Sequence, residues 1–120
     1  MRLLYLILGI VLITASCRKN KETANSICFT RTSTELIIKN DTNQEYYFTA
    51  FGQSILPLID WAPLCDNNSI PAKGTVRKQL SSVTGYLDND LLVVYWWKCT
   101  GNNPGETHTV VLDRNQTTCQ

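Results

Sequence analysis

A chain of 120 residues with five cysteines, 43% hydrophobic residues and a formal net charge of +1 has room for one small globular domain beyond its apolar N-terminus, and none for two. Setting aside residues 1–16 removes Arg2 and leaves 104 residues in which ten basic side chains balance ten acidic ones. That balance excludes a nucleic-acid binder, which needs clustered basic charge to release counterions, and a polybasic membrane-surface protein.

The chain opens with Met1-Arg2 and an apolar run from Leu3 to Ile13, followed by Thr14-Ala15-Ser16 and then Cys17. Eleven helical residues span roughly 16 Å against a hydrocarbon core of about 30 Å, so the segment reads as a cleaved signal peptide and not as a membrane span. Ile13-Thr14-Ala15-Ser16-Cys17 resembles the lipobox of bacterial lipoproteins, in which small residues precede a cysteine that becomes the mature N-terminus. Thr14 stands where that motif usually has a branched aliphatic residue. The resemblance covers residues 1–17 alone. It implies a diacylglyceryl group on the Cys17 thiol, an acyl chain on its amine, and a stable membrane anchor. Ordinary secretory cleavage is the competing reading. It leaves five cysteines with one unpaired, whereas lipidation of Cys17 leaves the even set Cys28, Cys65, Cys99 and Cys119. Residues 18–26 are polar and form a tether that reaches at most about 30 Å. Arg18, where an acidic residue would signal inner-membrane retention, implies by the same resemblance the outer membrane of a bacterial envelope, its periplasmic or outer face left open.

From residue 27 onward no apolar pattern lasts long enough for a three-turn helix, and short β-branched and aromatic runs recur between turn residues. Residues 27–30 read as a first strand. Residues 34–39 and 45–51 flank the turn cluster Asn40-Asp41-Thr42-Asn43-Gln44 and are expected to form a hairpin. Residues 55–61 contain Pro57, which lacks a ladder donor, and read as an edge strand or an ordered loop. Residues 75–80 alternate with one wet side. Asp88-Asn89-Asp90 opens the strongest strand, Leu91 to Thr100, and residues 101–105 turn it into Glu106 to Arg114, a second hairpin. About seven short strands at this spacing predict an all-β domain over residues 27–120, an immunoglobulin-like β-sandwich first and a small β-barrel second.

Three pairings of the four remaining cysteines exist. In the second hairpin Cys99 lies at the loop end while Cys119 runs past the far end, tens of ångströms away, which disfavours joining them. The expected staples are Cys65 with Cys99 and Cys28 with Cys119. A redox pair needs a Cys-x-x-Cys spacing or an activated thiol, and neither spacing occurs.

Candidate chemistry is sparse. His108, the single imidazole, shares a strand face with Val110 and Leu112 and reads as an ordinary strand histidine, with no partners for a metal site. Asp88-Asn89-Asp90 reads as a strand-initiating turn before it reads as a cation site. No Gly-x-Ser-x-Gly supports a triad, and no cofactor is implied. The aromatics carry the one binding candidate. With Thr49 facing water, Tyr46 and Phe48 point inward and Tyr47 and Phe51 outward. With Cys99 facing inward, Trp96 points outward beside Lys98. Tyr47, Phe51 and Trp96 would then form an exposed patch for a glycan or a protein; against this, Trp96 is core if the strand from Leu91 is covered on both faces. The sequence therefore predicts a membrane-anchored envelope lipoprotein with a non-catalytic binding or structural module. The rivals are an enzyme inhibitor presenting the Asn67 to Gly74 loop and a small envelope hydrolase.

Overall fold

Period-two alternation sets the face of each long strand. In β1 (Ile27–Arg31) Ile27, Phe29 and Arg31 are buried, and in β2 (Glu35–Asn40) Leu36, Ile38 and Asn40. The chain continues through β3 (Tyr46–Gly52), a 3-10 turn (Gln53–Leu58), β4 (Ser69–Ile70), β5 (Thr75–Gln79), β6 (Leu92–Trp97), β7 (Cys99–Thr100), β8 (Asn103–Pro104), β9 (His108–Leu112) and β10 (Gln116–Cys119). This is a computed structural model that describes residues 25–120; the signal segment, Cys17 and the tether up to residue 24 lie outside the described residues.

Two four-stranded antiparallel sheets form, in the orders β10-β1-β2-β5 and β4-β3-β6-β9, with β7 and β8 as a separate two-stranded ribbon. One core unites them: Phe29, Leu36 and Ile38 from the first sheet meet Phe48, Val94, Trp96 and Leu112 from the second. The chain switches sheets between β2 and β3, β4 and β5, β5 and β6, and β9 and β10, while β2 pairs with β5 and β3 with β6. That is the immunoglobulin-like connectivity. The sheets stay open and do not close into a barrel.

The expected hairpin of residues 34–39 with 45–51 is a correction: β2 and β3 lie in different sheets. Turn-forming chemistry serves an arch between sheets as well as a hairpin, and here Asn40 makes the arch. It is buried, its Nδ2 donates to the Gln44 and Pro71 carbonyls at 2.8 and 3.0 Å, and its Oδ1 accepts from Thr42 N at 2.9 Å. At the opposite end of the β1–β2 hairpin, buried Arg31 donates to main-chain carbonyls. One polar side chain thus plugs each end of the sandwich.

Residues 55–61 form no strand. They fall in the 3-10 turn and the loop after it, with Pro57, which has no ladder donor, inside the turn. The missing long strand is β10, which pairs with β1. The second hairpin forms as expected, β6 pairing with β9 from Leu92↔Leu112 to Trp96↔His108. Both staples join the expected cysteines: Cys28 bridges Cys119 across directly opposed rungs of β1 and β10, and Cys65 bridges Cys99.

Candidate functional site

Strand β6 is central and apolar on both sides, so its even and odd residues serve different surfaces. Leu92, Val94 and Trp96 point into the core, and Val93, Tyr95 and Trp97 point to the outer face of the second sheet. Their neighbours on that outer face are Tyr47 opposite Trp97, Thr49 opposite Tyr95, Phe51 opposite Val93, and Thr109 and Val111 from β9.

The 53–68 segment folds over part of this face. Asp90 starts the cover: its carboxylate accepts the Ser54 N–H at 2.8 Å and the Leu91 N–H at 2.8 Å. The Ser54 bond, more than any other influence, holds the Asp90 pKa below the usual aspartate value. Trp61 then lays its ring 4.4 Å from Tyr95, 5.8 Å from Phe51 and 6.2 Å from Trp97, centroid to centroid. Trp97 Nε1 donates to the Leu64 carbonyl at 3.0 Å, and one residue later Cys65 is bonded to Cys99. Four aromatic rings therefore form one cluster. Phe51 and Trp97 are its buried floor, whereas Trp61 and Tyr95 are half-buried and present ring surface to solvent. Val111, 42% exposed, extends the apolar strip toward the sheet edge.

Where β3 begins and β6 ends, the same face runs into a cleft of roughly 460 Å³. Tyr47 forms one wall, with Gln44 and Glu45 beside it and Lys98 through Gly101 opposite. An acid, a base, a phenol and an amide thus line a concavity next to flat aromatic surface. Such a combination offers both stacking surface and hydrogen-bonding groups.

Against this geometry the expected patch of Tyr47, Phe51 and Trp96 is redrawn. Tyr47 and Phe51 do lie on the outer face, but Phe51 is covered by Trp61. Trp96 is the correction. It is 7% exposed, 5.6 Å from Phe29 and 5.2 Å from Tyr46, and belongs to the core. Cys99 and Trp97 do share a side, but that side faces the cover loop that carries Cys65 and not the space between the sheets. Trp96, on the opposite side of the strand, therefore points between the sheets.

Trp61 and Tyr95, the half-buried rings of the cluster, escape sequence reasoning. Trp61 sits in a loop without periodicity, and Tyr95 lies amid a run of apolar residues. The one available signal is Cys65, four residues after Trp61 in a disulfide set that must tie this loop to something.

The remaining candidates have structural duties. His108 stacks on Trp96 at 4.5 Å. In the 88–90 turn, Asp88 accepts the Tyr86 hydroxyl and Asp90 accepts main-chain N–H groups. Among the described residues no group of three or more His, Cys, Asp or Glu side chains is placed to hold a metal ion. The Asn67 to Gly74 segment does not protrude: Ser69 and Ile70 pair with β3, Ile70 is buried, and Lys73 N bonds to the Thr42 carbonyl at 3.0 Å.

No family model, curated protein or solved structure matches the chain.

Proposed function

We propose that this chain is an envelope lipoprotein, anchored through Cys17, whose sandwich binds a glycan on the outer face of its second sheet. The observation that carries the binding reading is the Trp61–Tyr95 ring pair, held half-open by a disulfide-bonded loop beside the polar cleft at Tyr47. Sugar rings offer C–H faces that stack on indole and phenol, and hydroxyl rims that hydrogen-bond to side chains such as Thr49, Thr109, Gln44 and Glu45. Rings that are already fixed lose little entropy on contact, which favours recognition of repeating, weakly individual units. The anchor rests on the lipobox resemblance and on the even cysteine set that remains when Cys17 is excluded.

Two experiments test the two halves separately. Labelling cells with radioactive palmitate should mark the wild-type protein and not Cys17→Ala, and globomycin should cause the uncleaved precursor to accumulate. An unlabelled wild type ends the lipoprotein reading. For binding, the purified domain is applied to a bacterial and host glycan array. Hits should lose at least ten-fold in affinity, about 1.4 kcal/mol, in Trp61→Ala and Tyr95→Ala, while circular dichroism stays unchanged. An array with no hits, or hits indifferent to both substitutions, removes the glycan reading. In the second case the same variants are carried to protein partners.

A further inference from the structure

The two open sides of the sandwich differ in how they treat their edge strands. On one side β4 is only two residues long, and β5 carries Arg77 on its outer face and Lys78 on its inner face. Short length and inward charge are devices that discourage another strand from adding. On the other side β9 runs His108-Thr109-Val110-Val111-Leu112 with no charge and no proline. An unprotected β-branched edge of that kind is a template for strand addition.

The hydrogen-bond phase of this edge can be read from the sheet. Gln53 N donates to Leu91 O across the β3–β6 ladder, while Phe48 N and Gly52 N point the other way, to Asn68 O and Thr84 O. In an antiparallel ladder the bonded rungs alternate, so odd residues of β6 face β3 and even residues face β9. Through the register Trp96↔His108, Val94↔Val110 and Leu92↔Leu112, residues 108, 110 and 112 bond inward. The N–H and C=O groups of Thr109 and Val111 therefore point out of the sheet.

We infer that a second copy of this chain pairs with that edge, β9 against β9, antiparallel and centred on Val110. This register sets Thr109 opposite Val111 of the second copy and Val111 opposite its Thr109. The outward N–H and C=O groups then meet in two bonded rungs, with Val110 facing its own counterpart in the open rung between them. The choice of a second copy rests on charge. Glu106, just before β9, and Arg114, in the turn just after it, are both exposed and each four residues from Val110 in sequence, so the two-fold pairing brings Glu106 of each copy toward Arg114 of the other. Shifting the register by one step in either direction separates these charges. Self-pairing of β10, the other edge on this side, brings no opposite charges together. The pairing makes one eight-stranded sheet whose outer face carries two Trp61–Tyr95 surfaces on the same side. Four main-chain bonds and two exposed ion pairs give weak association in solution, which tethering to one membrane would raise through effective concentration.

The test is sedimentation equilibrium of residues 25–120, which hold every described strand, both disulfides and the whole core, at up to about 1 mM, the weak limit of specific affinity. A monomer–dimer equilibrium is expected. Glu106→Arg and Arg114→Glu should each weaken it about ten-fold, and an equimolar mixture of the two variants should restore it, because both cross-pairs are again of opposite sign. Thr109→Pro should abolish it without lowering the thermal midpoint, since that N–H makes no bond within the domain. A wild type that stays monomeric throughout overturns the inference. So does a dimer that tolerates Thr109→Pro or that the variant mixture fails to rescue.

Discussion

Replacing Arg31 by methionine is expected to cost about 1–3 kcal/mol of folding stability, a sizeable part of the roughly 5–15 kcal/mol such a domain possesses. Arg31 is 1% exposed and forms no salt bridge among the described residues. Its guanidinium instead donates to the carbonyls of Asp90 at 2.7 Å, Leu112 at 3.1 Å and Asp88 at 3.4 Å, with the Tyr86 ring 5.8 Å away. Those carbonyls belong to the start of β6 and the end of β9, so one side chain on the first sheet ties down two strand ends of the second. Methionine fills most of the volume but takes the donor from the part-buried Asp90 carbonyl, and each such orphan costs about 1–3 kcal/mol. Lysine keeps the charge yet is a point donor that cannot reach three carbonyls in a fork. Arg31→Lys should therefore fall between wild type and Arg31→Met. Urea unfolding followed by tryptophan fluorescence checks this, with the midpoint falling and the slope unchanged. A loss under about 1 kcal/mol for Arg31→Met would show that the end of the sandwich repacks without the fork.

The residues that made the fold legible, and those that concealed the site, differ in whether their role is local. β6 announces itself as a β-branched and aromatic run, β9 through alternation, and both through the five-residue turn cluster between them, because their pairing and patterning are set within 25 residues. Asn40 shows the limit: its side chain favours a turn, but whether that turn closes a hairpin or an arch depends on Ile70 and Pro71, thirty residues away. β10 has no apolar alternation at all and is a strand because Cys119 and Thr117 lie opposite Cys28 and Thr30. The cysteine pairing was readable because length and strand direction constrain it. What Cys65 holds in place was not, since no property of residues 53–68 says which face of which sheet they will cover. Trp96 and Trp97 share that difficulty: adjacent aromatic residues on a doubly covered strand carry no label for the inside.

The two disulfides should then fail in different ways. Cys65→Ser with Cys99→Ser opens a closure of sequence separation 34, for which chain entropy gives about 3–4 kcal/mol. The larger consequence is local. The 3-10 turn of the cover buries none of its own side chains. Without the bridge, the cover is held by the Trp97–Leu64 hydrogen bond, the Ser54–Asp90 bond, the Gln53–Leu91 main-chain bond and ring contacts of Trp61. Loss of the staple should free Trp61 from Tyr95, expose Trp97 and shift tryptophan emission to the red before global unfolding begins, with binding to any array-identified glycan falling at least ten-fold. The Cys28→Ser and Cys119→Ser pair has the opposite profile. Its bridge closes a longer separation of 91 residues, so global stability should fall by at least as much. It lies on the outer face of the other sheet, however, and β10 keeps its pairing with β1, so the native emission spectrum and the glycan affinity should be retained below the unfolding transition. The two variants therefore separate a staple that preserves the domain from one that shapes its binding surface. Equal effects of both on affinity would place the ligand somewhere other than the face that Trp61 covers.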